Sequence, residues 1–345
     1  MSKLAGPKHV RTEDDSFVGG IQYDPSATCP RWMDFLKQFT CGRPELMECL
    51  QTLVGYSMTG WTKEQIFIVL YGGGGAGKGT FLRVVSSLFG DYSDTLPFTS
   101  LTKQKFSTND RRDDIAGVRN CRFVYAQEGD DDDPFDEALV KWLTGEDEIK
   151  VRLLRENFAK AEPEFTLWLA TNHIPRVKHQ DESFWRRMKI IPCDYTRDGR
   201  AVDKDLTMKL KAELPGILNW AIEGCIRWQE GSMRQLQGVQ DDSIVFPDCV
   251  VEAIRKEKSK QDRLQEFFAE ECEIGSGLEA RAQELRDRYS EWCKINNQKA
   301  ESPQRFSAMM EERGFQKVDR RDGRCYLGIE LRMVTETTTS TKLRR

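Results

Sequence analysis

The chain has 345 residues, 39% hydrophobic and 31% charged, with a formal net charge of −4, which allows two or three domains with well-buried cores. No run of 18 apolar residues occurs, so a membrane-spanning helix is excluded, and residues 1–10 carry no apolar core of the kind a secretion signal needs. The ten cysteines are scattered without any Cys-x-x-Cys and there are three histidines, so a zinc site is not expected and the thiols read as reduced, in a cytosolic setting.

Residues 1–28 are polar and turn-rich and read as a flexible arm. Residues 29–63 form a helical lead-in: Trp32, Phe35, Leu36 and Phe39, then Leu46, Leu50, Leu53 and Val54, recur at three-and-four spacing. A collar-like role is expected of it. Residues 64–246 alternate apolar strands (66–71, 122–127, 165–171 and 188–192) with helices (78–89 and 135–145), which predicts an α/β fold with a parallel sheet covered on both faces. A helix is expected over 204–231, and Pro247 with the basic, polar stretch 255–263 suggests a hinge. In residues 247–333, three helices (262–272, 279–296 and 303–314) precede two strands (315–320 and 324–332) joined by Arg321-Asp322-Gly323, the pattern of a winged helix. Residues 334–345 read as a disordered polar tail.

The most informative stretch is Ile66 to Leu82, in which a β-branched-rich strand feeds a turn of five glycines, then Lys78, then an amphipathic helix. The spacing Gly72-x4-Gly77-Lys78 is that of a phosphate-cradling loop. Backbone N–H groups of Gly73, Gly74, Gly75, Ala76, Gly77, Lys78, Gly79 and Thr80 would converge on a polyphosphate at a helix N-terminus, with Lys78 reaching the β/γ-phosphates. Gly79 stands where Ser or Thr usually binds Mg²⁺, so Thr80 or a water must serve the metal. A nucleoside triphosphate with Mg²⁺ is the expected ligand.

Three further elements follow in order. The strand Cys121 to Gln127 ends at Glu128, placed to polarise an attacking water and to bear on Mg²⁺ through water. The strand Phe165 to Thr171 delivers Asn172, an amide able to hydrogen-bond a γ-phosphate without adding charge. Arg186 and Arg187 precede the strand at 188–192; an arginine reaching a neighbouring subunit's γ-phosphate neutralises transition-state charge, although one of the pair can equally be a packing or salt-bridge residue. Between Glu128 and Asn172, the run 144–160 reads as a hairpin. Its Arg152, Arg155, Lys160 and Phe158 suit a strand-tracking loop or an ordinary charged surface turn. Asp130 to Asp133 are read as a solvated acidic loop.

Taken together these residues resemble the phage/plasmid primase-helicase family, the D5-type superfamily 3 helicases. The resemblance runs from Tyr23 to Leu331. It is carried by Tyr23-Asp24-Pro25, Cys29-Pro30-Arg31-Trp32, residues 53–60, Gly72 to Thr80, the strand ending in Glu128, Leu143-Thr144-Gly145, residues 167–175, Phe184-Trp185-Arg186-Arg187 and Gly216-Ile217-Leu218-Asn219-Trp220. It implies an AAA+-type core in a homo-hexameric ring, ATP hydrolysed between subunits, and 3′→5′ movement on single-stranded and forked DNA in a bacterial host's cytoplasm, without a membrane. By the same resemblance Lys78 and Thr80 bind phosphate, Glu128 is catalytic, Asn172 is a sensor, Arg187 (or Arg186) is the arginine finger and Arg155 lies on a pore hairpin. Many relatives also carry a primase-polymerase half, which nothing here resembles; a separate primase or polymerase is then a possible partner. The alternatives are an origin-binding NTPase scaffold, in which nucleotide merely assembles the ring, and a nucleotide kinase.

Overall fold

The computed structural model describes residues 17–18, 20–103, 113–127, 134–145, 149–152, 158–161, 163–177, 182–196, 203–237, 242–296, 300–321 and 323–332. Glu128, Asp130 to Asp133, Arg155 and the tail 334–345 lie outside them. The chain divides into two compact units, Met1–Lys258 and Ser259–Arg345.

The first unit opens with a short antiparallel pair, β1 (Phe17–Val18) and β2 (Ile21–Gln22). Residues 20–28, expected to be part of a flexible arm, are tied down instead. The Asn219 side-chain amide donates to the carbonyls of Asp24 (2.8 Å) and Ala27 (3.0 Å), and Thr28 runs against Gly216 so closely that a Cβ there would lie 2.3 Å from its backbone. Two helices follow, α1 (Pro30–Phe39) and α2 (Pro44–Met58), each with proline in its first turn, where no N–H is needed. The N-terminus of α1 is capped from a distance: the Glu213 carboxylate accepts the N–H groups of Arg31 (3.3 Å) and Trp32 (3.0 Å).

Next come β3 (Phe67–Tyr71), α3 (Lys78–Phe89), β4 (Ser93–Thr95), α4 (Asp113–Gly117), β5 (Phe123–Gln127), α5 (Glu137–Leu143), the hairpin strands β6 (Ile149–Arg152) and β7 (Phe158–Ala161), β8 (Thr166–Thr171), α6 (Glu182–Trp185) and β9 (Met188–Pro192). A five-stranded sheet of order β4-β5-β8-β3-β9 is parallel throughout. Side chains alternate between its faces with period two. Ile68, Leu70, Phe123, Trp168, Ala170 and Ile191 point to one buried cluster, and Phe67, Val69, Val124, Leu167, Leu169, Met188 and Ile190 to the other. Both faces are covered, as a strand buried at every position, such as β8, requires.

The lead-in belongs to the first of those clusters. Trp32, Leu36, Phe39, Leu50 and Leu53 share it with Phe81 of α3 and Trp168 of β8, and Phe39 stacks on Phe81 at 5.3 Å between ring centres. The lead-in is therefore built into the core rather than standing apart from it. The helix expected at 204–231 is two: α7 (Leu206–Lys211) and α8 (Leu214–Leu236), because Pro215 fits only a first turn. The expected hinge stretch 255–263 contains the boundary between the two units, after Lys258, but most of it is helix, α9 (Asp248–Lys260), with Pro247 just before its start and Val250 buried in the core. Consequently the first unit extends to Lys258, beyond the boundary expected at 246.

The second unit holds α10 (Arg263–Glu271), β10 (Cys272–Arg281), α11 (Ala282–Ile295), α12 (Pro303–Glu312), β11 (Lys317–Arg320) and β12 (Gly323–Leu331). Its antiparallel sheet has the order β10-β12-β11, completing a winged helix. The strand β10 was not expected, because a bulge between Ile274 and Glu279, containing Gly275 and Gly277, breaks its alternation. Its own core includes Leu264, Phe267, Leu285, Tyr289, Met310, Tyr326 and Ile329.

Helices α2 and α8 meet backbone to backbone. A Cβ on Gly55 would sit 2.1 Å from the Cys225 nitrogen, and one on Gly224 would sit 2.0 Å from the Gln51 carbonyl oxygen. Gly55→Ala and Gly224→Ala are each expected to cost about 1–3 kcal/mol in urea unfolding, whereas Gly73→Ala, which meets nothing within 4 Å, should leave stability unchanged.

Candidate nucleotide-binding site

Parallel pairing brings the carboxyl ends of β3 and β8 side by side, with Tyr71 opposite Thr171. The residues that follow each strand, Gly72 and Asn172, therefore emerge at the same edge of the sheet. Gly72 is required by crowding, since a Cβ there would lie 2.1 Å from the Cys193 carbonyl oxygen just past β9. Gly73, Gly74 and Gly75 are exposed, and Gly77 turns into α3 with a left-handed φ of 95°. Behind Gly77 lie Phe35 and Phe39 of α1, 3.2 and 3.4 Å from where its Cβ would stand. The lead-in thus forms the wall on which the loop rests.

Lys78 opens α3 and is buried to 9% exposure. Its ammonium donates to the carbonyls of Gly72 and Gly73 (2.9 Å to the latter) and to Oδ1 of Asn172 (2.8 Å). Two of the expected site residues, 94 positions apart, are therefore in direct contact. Asn172 itself is exposed and is aimed by its neighbour. The buried Thr171 hydroxyl accepts the His173 N–H at 3.0 Å and donates to the His173 carbonyl at 2.5 Å, pinning the turn that Asn172 occupies.

Beneath the loop, burial pushes the Cys193 thiol far above the ordinary cysteine range, and the nearby Lys78 ammonium pulls the other way. Arg43, just before α2, donates to Asp194 at 2.6 Å and ties the lead-in to the segment after β9. Neither Thr171, Cys193 nor the Arg43–Asp194 pair stood out in the sequence. The one available signal was position, each lying next to a predicted strand end or helix start.

Thr80 sits in the first turn of α3, and Arg83 approaches its hydroxyl at 3.5 Å. The exposed loop and the anchored lysine fit a polyphosphate. One partly exposed hydroxyl fits a divalent ion held largely through water. Among the described residues, no group of three or more His, Cys, Asp or Glu side chains is placed to hold a metal.

The arginines lie elsewhere. The Phe67 N–H donates to the Arg187 carbonyl at 2.9 Å, and Arg186 donates to the Gln65 side chain at 3.1 Å. Both therefore stand at the amino edge of β3 and β9, about 16 Å of strand from the loop at the carboxyl edge. Arg186 is exposed, and Arg187 is partly buried and donates to the Ser183 carbonyl at 3.3 Å. The expected hairpin is present in the backbone, where β6 and β7 pair Arg152 with Phe158 and Lys150 with Lys160.

Residues 70–187, about a third of the chain, match a family of unknown function, DUF5906. The chain is 26% identical over 250 residues to "Putative helicase L207/L206" of Acanthamoeba polyphaga mimivirus, covering 68% of this chain and 25% of that protein. It is 22% identical over 232 residues to "Putative helicase 022R" of Frog virus 3, covering 62% and 23%. The chain resembles the D5-type primase-helicases. It spans about a quarter of the length of these curated relatives. The solved C-terminal region of NrS-1 shares the fold, with a TM-score of 0.51 at 12% identity over 88% of this chain and 76% of that one. Among the described residues, no helix is long and apolar enough to cross a membrane.

Thr171→Val keeps the shape and removes both hydrogen bonds of the turn. It should cost about 1–3 kcal/mol in denaturant unfolding and weaken the binding of a fluorescent ATP analogue, because Asn172 loses its aim.

Proposed function

We propose that this chain is the motor part of an ATP-dependent replicative DNA helicase of a viral, plasmid or other mobile element. The observation that carries the reading is the contact of Lys78 with Asn172 at the carboxyl edge of a parallel sheet, beside a glycine loop that opens a helix. In this reading the backbone N–H groups of residues 73–80 hold the β- and γ-phosphates of ATP. The Lys78 ammonium exchanges loop carbonyls for phosphate oxygens, and the Asn172 amide orients the γ-phosphate or the attacking water. Glu128, one residue past β5, accepts the water's proton. Mg²⁺, held by Thr80 and through water by Glu128, would supply charge neutralisation on the phosphates.

Arg187, with Arg186 as the alternative, would act on a neighbour's ATP. Support comes from its place at the sheet edge opposite its own loop, which suits an arginine presented across a subunit boundary. A homo-hexameric ring of superfamily 3 type would then hydrolyse ATP at each interface. In that ring the β6–β7 hairpin, bearing Arg152, Arg155, Phe158 and Lys160, would track single-stranded DNA through the centre.

The test is hydrolysis by the purified chain with and without single-stranded DNA. Wild type should be stimulated by DNA and should release phosphate to water. Lys78→Ala should lose nucleotide binding, and Glu128→Gln should keep binding while hydrolysis falls at least a hundredfold. Phosphate transfer to a nucleoside, or DNA unwinding that survives both substitutions, would overturn the reading.

A further inference from the structure

The second unit carries a groove of about 500 Å³ between the start of α11, the start of α12 and the β11–β12 hairpin. Four cations line it: Arg281 and Arg286 from the α11 side, and Lys317 and Arg324 from the hairpin. Glu284 is an acidic residue of the lining. Each cation already has a weak or neutral neighbour. Arg281 faces Glu284 at 3.8 Å with both side chains more than half exposed, and Arg324 meets Asp319 at 3.2 Å with both largely in solvent. Arg286 donates to the Gln283 amide oxygen at 2.8 Å and stands 3.7 Å from the exposed Asp287 carboxylate, and Lys317 donates to the Ser307 hydroxyl at 2.7 Å. Surface ion pairs of this kind hold their partners loosely, so a phosphate can replace them. Arg320 is different, because Glu279 holds it through two bonds of 2.9 Å, and it is already spent.

The rings of the lining are no platform for bases. Phe306 is 2% exposed and Tyr326 is 1% exposed, so both belong to the floor of the groove. Cations without an accessible aromatic ring suit a phosphodiester backbone and not stacked single-stranded bases. The exposed end of α12 is acidic, with Glu311 and Glu312, the latter already paired with Arg305 at 3.1 Å. Laid lengthwise in a DNA groove, that helix would put carboxylates against phosphates.

The geometry points to this groove as a sequence-independent phosphate-backbone contact for duplex DNA, made by the hairpin and the start of α11 rather than by base readout from α12. It rests on DNA being the polymer of the proposed function, and it assigns the second unit to duplex instead of the translocated strand. An acidic peptide is the competing occupant.

The experiment uses the full chain without nucleotide, a blunt 20-base-pair duplex and a 20-nucleotide single strand, with binding read by fluorescence anisotropy between 50 and 200 mM salt. The triple variant Arg281→Gln/Arg286→Gln/Arg324→Gln should lose at least tenfold in duplex affinity at 50 mM salt. Its slope of log affinity against log salt should shrink by about 2–3, near 0.9 for each phosphate contact removed. Single-strand affinity and DNA-free ATP hydrolysis should stay as in wild type, and Lys317→Arg, which keeps the charge, should retain duplex binding. Unchanged duplex affinity and salt slope in a folded triple variant would overturn the assignment. So would displacement of duplex by polyglutamate as effectively as by unlabelled DNA. Lys78→Ala should keep full duplex affinity, so a chain that holds duplex but fails to hydrolyse ATP counts against the motor reading alone.

Discussion

The ammonium of Lys78 is the point where two strands distant in sequence meet. Its bonds to the loop carbonyls of Gly72 and Gly73 and to the Asn172 amide exist because β3 and β8 run parallel and in register, Tyr71 beside Thr171. A one-residue slip would turn every alternating side chain to the opposite face, exchanging the contents of two buried clusters. The burial of Ile68, Leu70 and Trp168 on one side and Val69, Leu167 and Leu169 on the other therefore fixes the chemistry at the strand ends.

The same register accounts for the separation of the arginines from the loop. Arg187 is bonded through its carbonyl to the first residue of β3, and Gly72 follows the last. One strand length keeps them apart within a subunit. In the ring proposed above, that distance would let one edge of the sheet hold a triphosphate while the other presents a guanidinium to the next copy. The lead-in helices add rigidity on the cradle side, with Phe35 and Phe39 behind Gly77 and Arg43 bound to Asp194.

Much of this was legible in the sequence because it is local. The glycine spacing before Lys78, the apolar strands and the three-and-four spacing of Trp32, Phe35, Leu36 and Phe39 each depend on neighbours a few positions away. Partners across the chain were not legible. Nothing near Trp32 says that Glu213 caps its helix, and nothing near Gly55 says that Cys225 approaches it. The strand β10 was hidden by its bulge, and α9 was hidden by the basic, polar composition of its second half, although Val250 is buried and Cys249, Ala253 and Ile254 pack against the two clusters. Thr171 looked like one more β-branched strand residue, yet its hydroxyl aims Asn172.

The central claim is that one copy's lysine and the next copy's arginine serve a single ATP. Mixing two inactive proteins, Lys78→Ala and Arg187→Ala, measures this directly. Some interfaces in mixed rings would pair an intact Lys78 with an intact Arg187, so hydrolysis should reappear and peak near equal proportions. If every mixture stayed as inactive as its components while rings still formed, the two residues would not share a nucleotide across a boundary, and the account would be contradicted.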